Sequence, residues 1–129
     1  MNKYKIIIAD DEEGIRYLAG LIIKEKFPDS VSTFCEDGQE LLDKLTENKY
    51  DLAISDFNMP YFKGTEVIEK IRADSNCKNQ NIPVIFMSGI DYQTAKTFAD
   101  KIDNSEIIEK PFELDEFIKR IYNRLENGN

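Results

Sequence analysis

The sequence predicts an α/β fold of the doubly wound (βα)5 type, in which five parallel strands alternate with five helices. Two observations lead to this class. Short apolar runs of four to six residues recur along the chain, and most of them do not alternate with polar residues, which is typical of strands covered on both faces. The segments between them carry apolar residues at helical spacing. This alternation predicts right-handed crossovers and a three-layer sandwich of helices, sheet and helices.

The first two strand and helix units come from the N-terminal part of the chain. The run YKIIIA at 4–9 is the first strand, and SVSTFC at 30–35 is the second. Helices are predicted near 12–26 and 38–48. The first helix ends at Phe27-Pro28, and its apolar residues follow the i, i+3, i+4, i+7 spacing: Ile15, Leu18, Ala19 and Ile22.

The remaining three units repeat this pattern. Their strands are predicted from the apolar runs DLAIS at 51–55, PVIFMS at 83–88 and EIIE at 106–109. Their helices are predicted near 64–73, 91–100 and 113–126. The last helix again shows helical spacing, in Leu114, Phe117, Ile118, Ile121 and Leu125. The segment DSNCKNQN at 74–81 is predicted to be a polar surface loop rather than a domain boundary.

Length and composition indicate one globular domain spanning residues 1–129. Hydrophobic residues make up 41% of the chain and charged residues 33%, which is typical of a soluble protein. Without a long apolar run or a cleavage-site pattern, we expect no membrane span, no secretory signal and a cytoplasmic location. The net charge of −8 argues against direct nucleic-acid binding, because that affinity comes mainly from lysine and arginine displacing counterions.

The cysteines and the absence of histidine restrict the possible chemistry. Cys35 and Cys77 are isolated, and no histidine is present to complete a metal site, so we predict reduced, structural thiols. The lack of histidine also excludes Ser/His and Cys/His nucleophile schemes. Carboxylates, hydroxyls and lysines are the reactive groups that remain.

Ionisable or hydroxylic residues stand at the carboxyl ends of four predicted strands. Asp10 and Asp11 follow the first strand and Asp56 follows the third. Ser88 ends the fourth strand and Lys110 follows the fifth. In open α/β sheets, ligands bind outside the carboxyl ends of the strands, where the direction of the connections switches. We therefore expect these residues to meet at one edge of the sheet.

The three aspartates predict a cation site. At about 4 Å and an effective dielectric constant near 20, each pair of carboxylates repels by roughly 4 kcal/mol, so such a cluster takes up protons or holds a cation. A few oxygen ligands partly open to solvent favour Mg²⁺, or Mn²⁺, with retained waters. Asp56 is the best nucleophile candidate, since a carboxylate can accept a phosphoryl group. Lys110 would offer a positive charge to that group and Ser88 a hydroxyl.

Each of these residues has a simpler explanation when taken alone. The acidic run DDEE at 10–13 suits a helix start, where the helix dipole favours negative charge, and Asp56 could end a strand by starting a turn. Ser88-Gly89 is common as an ordinary turn. Lys110-Pro111 is a weak signal, although a cis bond there would aim the lysine. The functional interpretation is favoured because all of them fall at the same end of the predicted sheet.

Four segments carry these residues: IIIADDEE at 6–13, DFNMPYFKG at 56–64, FMSG at 86–89 and EKPF at 109–112. In this order and at these spacings they resemble the motif set of the response-regulator receiver domain of two-component signalling. The resemblance covers essentially the whole chain. It implies a flavodoxin-like sheet with the strand order 2-1-3-4-5.

The resemblance also implies a role for each site residue. Asp56 would be the phosphoacceptor, and Asp10 and Asp11 the acidic pair that positions Mg²⁺. The backbone carbonyl of Asn58 would be a further metal ligand. Ser88 would be the hydroxyl that moves towards the phosphoryl group.

Lys110 would pair with that group, ahead of a cis Pro111. The loop after Asp56 would be shaped by Pro60 and Gly64 on its way into the third helix. The implied cycle begins with a phosphohistidine on a sensor histidine kinase or a histidine phosphotransfer protein, which donates its phosphoryl group to Asp56, and it ends with hydrolysis. The protein would catalyse only its own phosphorylation and dephosphorylation, so it would not be a conventional enzyme.

The fifth strand and the residues just before it depart from the family pattern. Receivers commonly carry an aromatic residue three positions before the lysine, and its inward turn accompanies activation. This chain has Ile107 there, and DNS at 103–105 replaces the usual Gly-Ala. We therefore expect output through the fourth helix, fifth strand and fifth helix to run differently. Tyr92 and Phe98 could take part, although we expect them to be ordinary packing and surface residues.

The output itself is open. The sequence ends one helix after Lys110, so we expect either a stand-alone receiver that binds a downstream protein or a module whose output domain is missing.

Three alternative functions share either the fold or some of these residues. A haloacid-dehalogenase-type phosphatase also uses an aspartate, Mg²⁺, a hydroxyl and a lysine, but it needs a second aspartate where this chain has Asn58. An FMN carrier shares the fold, yet the acidic segment ADDEE would repel the phosphate of the flavin. A receiver-like interaction module that is never phosphorylated is the third. The complete set of Asp10, Asp11, Asp56, Ser88 and Lys110 counts against it.

Overall fold

The computed structural model describes residues 3–89 and 92–126, and strands and helices alternate along them. They are β1 (Tyr4–Ala9), α1 (Glu13–Lys26), β2 (Ser30–Cys35), α2 (Gly38–Glu47), β3 (Leu52–Asp56), α3 (Gly64–Ala73), β4 (Val84–Ser88), α4 (Tyr92–Ala99), β5 (Ser105–Glu109) and α5 (Leu114–Glu126). The predicted elements are confirmed, and their ends agree with the prediction to within one residue. Residue 91, where the predicted fourth helix begins, lies outside the described residues.

The strands form one parallel sheet in the order β2-β1-β3-β4-β5. This order confirms the doubly wound, flavodoxin-like prediction. The chain moves outward from β1 to β2 and then crosses back to β3 on the other side of β1. The direction of winding therefore switches between β1 and β3, which is where ligands bind in such sheets.

An apolar cluster covers each face of the sheet. On one face, α1 and α5 pack against β1, β3 and β4 through residues that include Ile8, Ile54 and Phe117. On the other face, the cluster joins α2, α3 and α4 and includes Leu41, Ile68 and Phe86. Every residue of β3 and β4 is buried, which explains why their sequences do not alternate. In the described part of the chain, no helix is both long and apolar enough to cross a membrane.

The prediction of a surface loop at 74–81 is wrong for Asn79, which is fully buried. Its side-chain oxygen accepts a hydrogen bond from the backbone N–H of Tyr50 at 2.9 Å. Its amide nitrogen donates to the carbonyls of Leu45 and Asn48, both at 2.6 Å. These carbonyls lie at the end of α2, where helical backbone groups lack intrahelical partners. Asn79 therefore caps α2 from a loop 31 residues beyond Asn48 in the sequence.

Both cysteines are free thiols. Cys35 is buried at the end of β2, and burial raises its pKa to about 12, so it remains un-ionised. The Cys77 sulfur lies 3.4 Å from the carbonyl oxygen of Leu45, beside the bonds that Asn79 makes.

Candidate functional site

The fold brings four predicted site residues together at the carboxyl end of the sheet. One carboxylate oxygen from each of Asp10, Asp11 and Asp56 forms a group whose members lie within 4.8 Å of one another. The Lys110 ammonium nitrogen lies 2.9 Å from Asp10 Oδ2 and 3.5 Å from Asp56 Oδ1. Asp10 follows β1 and Asp56 ends β3, so the group sits where the winding of the sheet switches.

The backbone around Asp56 is fixed by its neighbours. The N–H of Phe57 donates to the carbonyl of Met87 at 2.8 Å, which extends the pairing of β3 with β4 beyond Asp56. Gly64 begins α3 and packs directly on the end of β3. A Cβ atom at Gly64 would collide with the carbonyl oxygen of Asp56 and would lie 2.6 Å from the Ser55 hydroxyl oxygen. Only glycine therefore lets α3 begin this close to the end of β3.

The loop between Asp56 and α3 is attached to α2. The Pro60 carbonyl accepts hydrogen bonds from the backbone N–H groups of Gly38 at 3.1 Å and Phe62 at 2.9 Å. Tyr61 adopts a positive φ of 73°, and its side chain is 79% exposed. A non-glycine residue in this region is strained, so the loop presents Tyr61 to solvent at a conformational cost.

Charge repulsion makes the cluster of Asp10, Asp11 and Asp56 unfavourable when no cation is bound. Burial and, after it, the charge of Asp10 raise the pKa of Asp56 to about 7, although Lys110 and the Asn58 N–H act to lower it. Burial also raises the pKa of Asp10, whose side chain accepts a bond from the Glu12 N–H at 2.9 Å. Two buried carboxylates therefore share one ammonium group.

The arrangement fits a divalent cation. Three carboxylates offer hard oxygen ligands, which Mg²⁺ prefers. Asp10 and Asp56 are buried, whereas Asp11 is exposed, so one side of the group opens to water. Mg²⁺ keeps several waters in protein sites, and the acidic triad is consistent with a magnesium site.

Ser88 and Lys110 lie at the carboxyl ends of β4 and β5, the next two strands of the sheet after β3. Ser88 is the last residue of β4 and is 2% exposed. Its carbonyl accepts a bond from the Lys110 N–H at 2.7 Å, and the Lys110-Pro111 peptide bond is cis. Burial acts to lower the pKa of Lys110, but its hydrogen bond to Asp10 and the charge of Asp56 outweigh that effect and raise it. Lys110 therefore stays an ammonium group.

Two contacts at the site were missed by reasoning from the sequence. The Glu12 carboxylate lies 3.3 Å from the Lys110 ammonium nitrogen, so Lys110 contacts three acids rather than two. The Arg16 guanidinium donates to the backbone carbonyl of Asp10 at 2.8 Å. The acidic run at 10–13 indicated Glu12 as part of a helix start. Arg16 could have been found from its place one helical turn after Glu12.

The three residues discussed for signal output lie in different environments. Ile107 is 5% exposed on β5 and belongs to the core cluster under α4. Tyr92 is partly buried and packs against the same cluster. Phe98 is half exposed, with its ring centroid 6.0 Å from that of Phe57.

Comparison with known proteins identifies relatives of the whole chain. The family model of the response regulator receiver domain matches residues 6–122. Response regulator RR06 of Streptococcus pneumoniae is 32% identical over 117 residues, which are 90% of this chain and 50% of that protein. Histidine kinase P4 of Formosa agariphila is 33% identical over 125 residues, which are 97% of this chain and 9% of that protein. This chain therefore spans about half the length of the first relative.

Solved structures agree with these relatives. The receiver domain of the Francisella response regulator 1452 is 30% identical, with a TM-score of 0.76 over 98% of this chain and 100% of that chain. The receiver domain of a sensor histidine kinase from Pseudomonas aeruginosa PAO1 shares the fold at 20% identity, with a TM-score of 0.80 over 95% of this chain and 96% of that chain. That structure has a magnesium ion coordinated in its active site cleft. Because the family model matches most of its length, the chain belongs to the response regulator receiver domain family.

Proposed function

We propose that this receiver accepts a phosphoryl group on Asp56 from a phosphohistidine, in a step that needs Mg²⁺, and changes conformation as a result. The observation that supports this role is the placement of the Asp56 carboxylate, within 4.8 Å of oxygens of Asp10 and Asp11 and 3.5 Å from the Lys110 ammonium nitrogen. A candidate nucleophile thus faces a cation site and a fixed positive charge. Receiver domains are not conventional enzymes, which counts against the phosphatase alternative.

The transfer would exchange one bond to phosphorus for another. A carboxylate oxygen of Asp56 forms the new O–P bond while the P–N bond of the phosphohistidine breaks, and the electron pair leaves on the imidazole nitrogen. In the later hydrolysis, water attacks the phosphorus, which restores the carboxylate and releases inorganic phosphate. Phosphoryl transfer depends mainly on positioning and charge stabilisation, so no further nucleophile or base is required.

The cation would be held by Asp10, Asp11, Asp56 and the backbone carbonyl of Asn58. Mn²⁺ would suit the same ligands. When bound, Mg²⁺ supplies charge neutralisation at the transferred group. The Asn58 N–H already bonds to Asp56, which keeps this part of the loop next to the acceptor. Lys110 remains protonated, and its ammonium group would move to pair with the phosphoryl oxygens.

We infer that Ser88, Lys110 and Ile107 convert the new charge into a change of shape. Phosphorylation adds a charge of about −2, and Ser88 and Lys110 would move to meet it. Shifting a two-state equilibrium from 1:99 to 99:1 needs about 5.5 kcal/mol, which two or three charge-assisted hydrogen bonds of about 1.5–3 kcal/mol each could supply. Ile107 lies under α4, so we propose that repacking of this aliphatic side chain transmits the shift.

The partners follow from this chemistry. We propose that the receiver acts in the cytoplasm and that its donor is a sensor histidine kinase or a histidine phosphotransfer protein. The downstream element would be a separate target protein or an output domain, and residues 1–129 would form the receiver unit in either case.

Incubation with acetyl phosphate and Mg²⁺, followed by intact mass measurement, tests the acceptor. We expect the wild type to gain one phosphoryl group and Asp56→Asn to gain none. Asp51→Asn is the matched control. Asp51 precedes β3 at the opposite end of the sheet and accepts a bond from the Lys5 N–H at 2.8 Å, so this variant should be modified like the wild type.

Other outcomes would contradict the proposal. A wild type that stays unmodified with several small phosphodonors would favour the interaction module. Steady phosphate release from p-nitrophenyl phosphate would favour a phosphatase.

For the switch, amide NMR shifts at α4 and β5 should accompany phosphorylation in the wild type and shrink in Ser88→Ala. Equal shifts in both proteins would exclude Ser88 from the switch.

A further inference from the structure

The edge strand β2 lacks the usual protection against pairing with another chain. It pairs with β1 alone in the described sheet, and its sequence SVSTFC contains no charged residue and no proline. Natural edge strands commonly carry such residues because an open edge is a template for a further strand. The carbonyl of Cys35 accepts from the N–H of Asp10 at 3.1 Å. Since successive residues alternate sides, Ser32 and Phe34 direct their backbone N–H and C=O groups away from β1.

An apolar groove of about 620 Å³ lies beside this edge, between α1 and β2. Phe34 forms its floor, and Tyr17 and Leu21 on α1 form its wall. Their exposed fractions are 41%, 68% and 47%, which is high for large apolar side chains. Gly20 makes room for the floor, since a Cβ atom there would lie 2.7 Å from Phe34 Cζ. A strand added to β2 would therefore bring its inward side chains into this groove.

The charges around the groove differ from those of the whole chain. Its charged lining residues are Glu13, Arg16 and Lys24, two cations against one carboxylate, whereas the chain carries a net charge of −8. Among the ion pairs of the described residues, neither Arg16 nor Lys24 takes part in one. Arg16 donates a hydrogen bond to the Asp10 backbone carbonyl. That acceptor is neutral, so the bond does not neutralise the positive charge of Arg16.

The spacing of the two cations matches a strand. Arg16 and Lys24 are eight residues apart on α1, or about 12 Å at 1.5 Å per residue. Four residues of a strand span about 13 Å, and residues i, i+2 and i+4 of a strand face the same side. A strand with acidic residues at i and i+4 and an apolar residue at i+2 would place its acids near the two cations and its apolar side chain between them.

We propose that β2 and this groove bind an extended segment of a partner protein that carries this acidic and apolar pattern. The segment pairs with the backbone of Ser32 and Phe34 and seats its apolar side chain against Leu21 and Phe34, a mode of recognition known as β-augmentation. A second copy of this chain fits less well, since it would add a net charge of −8 and a second pair of cations. The groove shares Arg16 with the phosphoacceptor site, through the bond to the Asp10 carbonyl, but recognition of the segment does not require Asp56.

Titration of the ¹⁵N-labelled protein with the peptide acetyl-Ser-Glu-Thr-Leu-Thr-Glu-Ser-amide tests the proposal. At millimolar peptide we expect saturable shifts along β2 and slowed hydrogen exchange at the amides of Ser32 and Phe34. The same peptide with lysine in place of both glutamates should bind at least 10-fold more weakly. Asp56→Asn should bind the acidic peptide like the wild type.

Two variants of α1 provide a matched pair. Leu18 and Leu21 are 46% and 47% exposed, but only Leu21 lines the groove. Leu21→Glu should weaken binding of the acidic peptide at least 10-fold, and Leu18→Glu should change it less than 2-fold. Absence of shifts at β2, equal binding of the two peptides, or equal effects of the two variants would overturn the proposal. Self-association of the peptide-free protein through β2 would also overturn it, in favour of a second copy.

Discussion

At the scale of single residues, the buried carboxyl group of Asp56 is unfavourable in its charged form. It is 7% exposed, and burial together with Asp10 raises its pKa to about 7. A raised pKa means that the folded protein holds this proton more tightly than the unfolded chain does. Ionisation of the carboxyl group therefore lowers the stability of the fold. Folding therefore maintains a site whose negative charge Lys110 offsets only in part, so a bound cation would stabilise it further.

This raised pKa predicts how stability depends on pH in the absence of metal. The folded protein holds the Asp56 proton up to about pH 7, whereas the unfolded chain loses it near pH 4. Stability from this group is therefore present at low pH and is lost as pH rises through 7. With EDTA present, we expect the unfolding free energy to fall by roughly 2–3 kcal/mol between about pH 5 and 8. Urea unfolding of wild type and Asp56→Asn checks this, and equal pH slopes would contradict it.

A second residue-scale prediction concerns Gly64. A Cβ atom there would collide with the Asp56 carbonyl, so Gly64→Ala must displace either α3 or the end of β3. We expect the unfolding free energy to fall by about 1–3 kcal/mol. Gly14→Ala is the control, because a Cβ atom at Gly14 meets nothing within 4 Å, and it should be neutral or stabilising by up to about 1 kcal/mol. Similar urea midpoints for both variants would show that the close approach at Gly64 is easily relieved.

At the scale of elements, α2 depends on a side chain from a distant loop. Asn79→Ala removes three hydrogen bonds and leaves the carbonyls of Leu45 and Asn48 and the N–H of Tyr50 without them. Each unsatisfied buried group costs about 1–3 kcal/mol, and partial access of water would lower the total. We expect a loss of roughly 2–4 kcal/mol. Asn76→Ala, in the exposed part of the same loop, should change stability by about 0.5 kcal/mol or less. Thermal unfolding of both variants measures this difference in stability. Equal melting temperatures would contradict the capping role of Asn79.

Elements and site were predictable to different degrees. The strands could be read from the sequence because burial on both faces leaves unalternating apolar runs such as PVIFMS. Asp10, Asp56 and Lys110 could be expected to meet because parallel strands bring their carboxyl ends to one edge. Asn79 could not be found this way, since a buried asparagine in a polar segment has the same local composition as an exposed one. Its role depends on packing between α2 and a loop far away in the sequence.

At the scale of the whole molecule, the carboxyl end of the sheet gathers like charges in a chain whose net charge is already −8. Every strand is parallel, so the residues at the carboxyl ends of β1, β3 and β5 all converge on the same edge of the sheet. Lys110 offsets only part of the charge of Asp10, Asp11 and Asp56. The stability of the entire domain is therefore linked to cation binding at this edge.

This linkage predicts that Mg²⁺ stabilises the whole protein against unfolding. A ligand that binds only the folded state adds about 2.7 kcal/mol at a concentration 100 times its Kd. We expect the melting temperature near pH 8 to rise with Mg²⁺, and to rise much less with NaCl at the same ionic strength, because screening reduces repulsion without supplying ligands. Asp11→Asn should lose most of this response without disturbing the core, since Asp11 is exposed. Glu13→Gln removes an exposed acid from the same run but outside the triad, and should keep it. An equal loss in both variants would mean that Mg²⁺ acts through the general negative charge of this edge rather than through the three aspartates.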